Sequence, residues 1–123
     1  MSEEIIRLCR SARPHDFTGK TTLRDAAEII RRSRLLAAVD TGLMHFGMAM
    51  QTPTVAIFGP TNAHRLRDEP LVRVLQAAGP RRFDNRVRKR AWWDDRSIDQ
   101  NTPQDVLRNA ADLLSSRSSA VVS

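Results

Sequence analysis

The sequence has a single cysteine, Cys9, no tyrosine, and only two lysines among its 20 basic residues. A lone thiol excludes an internal disulfide and gives no sign of an oxidising compartment, leaving Cys9 as a small apolar residue on a helix. No apolar run approaches the roughly 20 residues that cross a bilayer as a helix. The start, MSEEIIRLCR, carries two acids where a signal peptide would carry positive charge. The expected chain is therefore soluble and cytoplasmic, peripheral at the inner membrane at most. Also missing are a Cys/His cluster at metal-ligand spacing and a Gly-x-Ser-x-Gly nucleophile elbow, so no residue set calls for a metal or for hydrolase-type acyl transfer.

What is present is an excess of positive charge. The basic residues, 18 of them arginine, outnumber 14 acids for a net +6 over 123 residues. That balance suits nucleic acid, nucleotide phosphates or an anionic membrane surface, without choosing among them. The length fits one domain or part of one, which folded alone would bury roughly two thirds of its unfolded surface.

The apolar pattern divides the chain into short elements. Ile5, Ile6, Leu8 and Cys9 among charged neighbours predict an amphipathic helix ending near Ala12, with Pro14 as its stop. Residues 13–21 read as loop. Thr22-Leu-Arg-Asp25 is a capping box, and Ala26, Ala27, Ile29 and Ile30 form one face of a helix running to about Ser33. Two unalternating apolar runs, Leu35 to Val39 and Thr54 to Phe58, read as parallel strands covered on both faces. LMHFGMAM, residues 43–50, is apolar nearly all round and predicts a buried crossover helix closed by Pro53. LVRVL, residues 71–75, alternates as an edge strand would. Thr102-Pro-Gln-Asp105, a second capping box with Pro at the first helical position, opens a last helix to about Leu114. The serine-rich residues 117–123 read as a flexible tail beyond a single unit at 1–116.

Two segments invite a phosphate. The first, Gly19-Lys20-Thr21-Thr22, looks like the end of a P-loop, but that motif needs Gly six positions before the Lys, where Pro14 stands, and a buried strand feeding the loop, which ARPHDF is not. Gly19 then supplies a turn and Thr22 a helix cap. The second, Asp40-Thr41-Gly42, falls at the C-terminal end of a predicted parallel strand and directly before a helix N-terminus. Open α/β sheets bind ligands along that edge, and free N–H groups there attract phosphate. Gly42 lets a backbone approach, Thr41 offers a hydroxyl and an N–H, and His45 is the one polar side chain of an apolar helix. The same residues also fit a plainer role, with Asp40 a helix cap and His45 a satisfied core histidine.

Taken in order, G-K-T-T-L, D-T-G-L-M-H and T-P-T-V-A-I-F-G-P-T resemble the C-terminal half of glycosyltransferase family 9, the ADP-heptose:lipopolysaccharide heptosyltransferases. The resemblance is close over residues 3–66. It implies a GT-B enzyme, in which two Rossmann-like domains face across a cleft and the C-terminal one holds the nucleotide-sugar donor. The residues matching the donor motif are Asp40, Thr41, Gly42 and His45, with Gly59, Pro60, Thr61 and His64 expected beside the cleft. The implied partners are an ADP-sugar donor and a lipopolysaccharide core acceptor, and no cofactor is implied. The family's catalytic base and acceptor site belong to an N-terminal domain that this sequence lacks. Two covered strands and one edge strand make an incomplete sheet, so the expectation is a partial donor-binding domain, inactive alone and completed, if at all, by a separate N-terminal half chain.

A rival of another class remains. Arg81, Arg82, Arg86, Arg88, Lys89 and Arg90, with Phe83, Trp92 and Trp93, would suit a nucleic acid if residues 81–93 formed a basic binding module. A solvated loop, with one tryptophan packed inward and the other laid on the missing domain, accounts for the same residues.

Overall fold

The structure, a computed structural model, describes residues 2–59, 69–77 and 97–120. Three parallel strands, β1 (Leu36–Val39), β2 (Thr54–Phe58) and β3 (Val72–Gln76), form one sheet in the order β1-β2-β3. The register aligns Leu36 with Thr54 and Thr54 with Val72. Helices α1 (Ser2–Leu8) and α2 (Leu23–Arg32) precede the sheet, α3 (Gly42–Ala49) connects β1 to β2, and α4 (Pro103–Ala120) follows a 3-10 turn at Ser97–Gln100.

Period-two alternation sorts β2 between two layers. Ala56 and Phe58 pack under Met44 of α3 with Ala38 and Val74, while Val55 meets Ala110 and Leu113 of α4 on the opposite face with Leu35, Ile57 and Leu75. Met44, Val55 and Leu113 are almost wholly buried, each stabilising the fold by about 1.5–3 kcal/mol relative to exposure. Helix α3 approaches the strands closely because residue 47 is glycine: a Cβ there would lie 2.5 Å from Leu36 Cδ2 and 2.7 Å from Thr54 Oγ1. The buried hydroxyls near this contact are satisfied. Thr52 Oγ1 donates to the Ile30 carbonyl at 2.9 Å, and Thr54 Oγ1 to the Thr52 carbonyl at 2.8 Å.

Several boundaries differ from expectation. Helix α1 stops at Leu8 rather than near Ala12 and buries none of its residues. Helix α4 continues to Ala120, past Leu114, with the Ser115 and Ser116 hydroxyls donating back to the Asp112 carbonyl. Helix α3 is not buried all round. Met44 and Gly47 face the sheet, but Leu43 is 43% exposed, because among the described residues this short helix packs mainly on the strands beneath it and on α2 beside it. Among the described residues only β2 is covered on both faces; α4 lies over β2 and β3, and Ala37 and Val39 of β1 are exposed. Both capping boxes form, with Asp25 and Asp105 each accepting from the hydroxyl and N–H of its threonine. The edge strand expected at residues 71–75 is β3, parallel to β2.

Candidate functional site

Parallel pairing brings the end of β1 and the end of β2 to one edge of the sheet, because Val39 stands level with Ile57. Asp40, Thr41 and Gly42 thus emerge beside Phe58 and Gly59. Thr41, not Asp40, is the N-cap of α3, with extended backbone angles (φ −141°, ψ 170°) and no side-chain capping bond. A Met44 N–H to Thr41 carbonyl bond of 3.1 Å closes the first turn. The N–H groups of Thr41, Gly42 and Leu43 have no hydrogen-bond acceptor among the described residues, so the positive end of this helix is uncompensated.

The surroundings of that end are open. A Cβ built on Gly42 would meet no atom within 4 Å, so glycine is not required there by packing within the chain. Asp40 and His45 are exposed and neither makes a hydrogen bond or ion pair among the described residues. His45 is therefore not a satisfied core histidine, and Asp40 is not a helix cap. The side chain of His45, one turn into α3, lies on the exposed part of the helix while Met44 takes the buried part.

The β2 side of the edge is occupied. Gly59 is buried, its carbonyl accepts from Gln76 Nε2 at 2.8 Å, and a Cβ on it would meet Ile98 Cβ at 3.0 Å. Asn101 Nδ2 donates to the Phe58 carbonyl at 2.9 Å, so the 3-10 turn closes over this strand end. Pro60, Thr61 and His64 lie outside the described residues, as do the basic run 81–90 and Trp92 and Trp93. The role of Ile98 and Asn101 is invisible in the sequence, where neither belongs to a periodic segment.

The Gly19-Lys20 segment is a turn. Gly19 has φ +68°, the Lys20 N–H donates to the Phe17 carbonyl at 3.0 Å, and Lys20 Nζ donates to the Asp16 carbonyl at 3.1 Å. Asp16 Oδ1 accepts from the Thr18 N–H at 2.9 Å, and bonds from Thr18 hold its carboxyl below the usual aspartate range. No strand precedes this turn and α2 begins only at Leu23, capped by its own box. Lys20 thus serves its own loop, and of the two helix starts α2 is closed by a side-chain capping box while α3 has no side-chain cap.

Among the described residues, two hollows lie elsewhere. One of about 350 Å³ is lined by Arg24, Asp25, Ala27, Glu28 and Met50, and one of about 180 Å³ lies between α1 and Pro14 to Asp16. Neither includes Asp40, Thr41, Gly42 or His45. Among the described residues no three His, Cys, Asp or Glu side chains group as metal ligands, and no helix is long and apolar enough to cross a membrane.

Comparison with known proteins points one way. The model of glycosyltransferase family 9 (heptosyltransferase) matches residues 1–91. Lipooligosaccharide heptosyltransferase 2 of Haemophilus influenzae is 32% identical over 62 residues, which are 50% of this chain and 16% of that protein. Lipopolysaccharide heptosyltransferase 1 of Pseudomonas aeruginosa is 42% identical over 43 residues, 35% of this chain and 12% of that protein. No solved structure matches. The matched stretches are thus a small part of either relative, while the family model covers most of the present sequence; this chain belongs to glycosyltransferase family 9.

Proposed function

We propose that this chain forms part of the donor-binding half of a GT-B glycosyltransferase, holding the diphosphate of an ADP-heptose for transfer to a lipopolysaccharide core. The observation that carries the reading is the uncapped start of α3 at the C-terminal edge of the strands, with free N–H groups at Thr41, Gly42 and Leu43 and open space at Gly42. A diphosphate fits that arrangement because partial positive charge and N–H donors converge without a side chain in the way. Asp40 and His45 flank it, free to bind the hydroxyls or phosphate of a donor. The chain's likeness to two named heptosyltransferases supplies the sugar and the acceptor. The donor unit takes in residues 1–116, with Gly59, Pro60, Thr61 and His64 near the cleft.

The proposed chemistry is a displacement at the anomeric carbon. An acceptor hydroxyl forms the new C–O bond, the bond to the β-phosphate oxygen breaks, and ADP leaves with the electron pair. The α3 N-terminus stabilises the charge gathering on that leaving group, an electrostatic contribution. The base that removes the hydroxyl proton lies in an N-terminal half outside this sequence. The nucleic-acid reading of residues 81–93 is not carried forward, since residues 81–91 fall within the family match.

Calorimetric titration with ADP tests the site. Binding is expected to be weak and to disappear in Gly42→Trp, with far-UV circular dichroism and thermal unfolding checking that the variant folds; a Cβ at this position meets no atom within 4 Å. Unchanged ADP binding in Gly42→Trp would remove the assignment. The purified chain with ADP-heptose and a truncated lipopolysaccharide acceptor is expected to give no transfer, since proximity and proton transfer are lost together without an acceptor cleft. Turnover by these 123 residues alone would overturn the division of labour.

A further inference from the structure

We propose that Asn101 is a positioning residue for the start of α3, acting through Phe58 and Met44, so that the 3-10 turn at Ser97–Gln100 sets how tightly the sheet edge holds a diphosphate. This role rests on the reading of that helix start as the diphosphate site. Its first link is at the end of β2. Asn101 Nδ2 donates to the Phe58 carbonyl at 2.9 Å, across 43 positions of chain, and to the Ile98 carbonyl at 3.3 Å, so one amide group ties the turn to the strand. The turn is itself closed, with the Asn101 N–H donating to the Ile98 carbonyl at 3.0 Å. Asn101 and Ile98 are both partly buried, and Ile98 lies against Gly59.

The second link runs through the core. Phe58 is buried in one cluster with Ala56 and Met44. Met44 closes the first turn of α3 by donating its N–H to the Thr41 carbonyl, and Thr41 has no side-chain capping bond of its own. The N-terminal end of α3 is therefore held from beneath, through Met44, and not by a cap. A close-packed cluster passes on a displacement because it has few voids to absorb one. The Phe58 carbonyl also accepts the Ala77 N–H at 3.2 Å, and the Gly59 carbonyl accepts from Gln76 Nε2 at 2.8 Å, but both donors belong to the β3 side of the sheet. Asn101 adds the bond from outside the strands. Hydrogen bonds weaken steeply with misalignment, so a small shift of the Thr41, Gly42 and Leu43 N–H groups should weaken their hold on phosphate oxygens.

Two measurements on the whole chain carrying Asn101→Leu test this, since leucine is close in size but cannot donate. In the ligand-free protein the amide ¹H–¹⁵N shifts of Thr41, Gly42, Leu43 and Met44 are expected to move, although they are remote from the substitution in sequence. Leu113→Val, which loosens α4 against Val55 on the other face of the sheet, is the control. It should lower stability and leave those four shifts in place, because loss of stability alone does not move native-state resonances. In calorimetric titration Asn101→Leu should raise the ADP dissociation constant about tenfold with unchanged stoichiometry. Leu113→Val should leave that constant as it is. Unmoved shifts at Thr41 to Met44 in folded Asn101→Leu overturn the proposal, and so does an unchanged dissociation constant. Should Asn101→Leu fail to fold, Asn101→Ala, which also removes the donor and adds no bulk, answers by the same two measurements. A parent that binds no ADP counts against the diphosphate reading instead, and the amide shifts then decide the link from Asn101 to α3.

Discussion

Thr52, at the entry to β2, donates its hydroxyl across 2.9 Å to the carbonyl of Ile30, and both residues are buried. The bond ties the last turn of α2 to the sheet, because the two residues are far apart in sequence but meet where α2 ends and β2 begins. Thr52→Val keeps the shape and leaves that carbonyl without a partner. The expected loss is about 1–3 kcal/mol, read as a lower urea midpoint with unchanged slope.

A contrast between two glycines in the same helix follows from what surrounds them. Gly47→Val should destabilise by about 1–3 kcal/mol, because Thr54 Oγ1 is held by its own bond to the Thr52 carbonyl and has no room to retreat. Gly42→Ala, at the start of α3, should change stability little, since its Cβ would enter open space. Thermal unfolding of the two variants side by side checks both halves of the statement.

Glu28 gives the fold a pH dependence. Its carboxylate accepts from Arg31 Nε and an Arg31 terminal nitrogen, each at 2.7 Å, and from Arg32 Nε at 2.6 Å. Those bonds lower its pKa from the ordinary 4.5 to about 2. A pKa depressed by folding adds stability that is complete above the unfolded value and disappears as pH falls through the folded one. The contribution is therefore expected to be full above pH 4.5 and lost toward pH 2. Because the group is exposed, the effect should shrink at high salt. Glu28→Gln should flatten this part of a stability-against-pH curve, and a parent curve already flat between pH 5 and 2.5 would refute the assignment.

Leu113→Ala should cost about 2–5 kcal/mol, since this side chain is 1% exposed and fills the space between α4 and Val55. Hydrogen exchange should quicken first in β2 and β3, which α4 covers, and less in β1, where Ala37 and Val39 are exposed.

How far these features were legible depends on how local their causes are. Thr22 and Asp25, like Thr102 and Asp105, lie three residues apart, so both helix starts could be read from the sequence. The apolar runs of β1 and β2 were equally plain. Residues such as Ile98 and Asn101 escaped because their partners, Gly59 and the Phe58 carbonyl, are some forty positions away and no periodicity announces the meeting. The all-round apolar pattern of residues 43–50 misled for a related reason: burial depends on how many neighbours arrive, and Leu43 has too few. At the candidate site the order Asp40-Thr41-Gly42 marked the strand-to-helix turn. Which residue caps α3, and that its side chain leaves the N–H groups free, required the backbone geometry.

The salt bridge between Arg73 of β3 and Asp112 of α4, 2.8 Å long, spans 39 positions of chain. By contrast β1, α3 and β2 follow one another within residues 36–58 and meet through short connections. Assembly should accordingly be staged. The β1-α3-β2 unit closes early, while α4 arrives only after a long loop has been closed against its entropy. On a ribosome the order is fixed by synthesis, and α4 emerges last. Until then Val55 and Leu75 face water with nothing over them, and nascent chains halted before Leu113 should be held by chaperones that grip apolar strands.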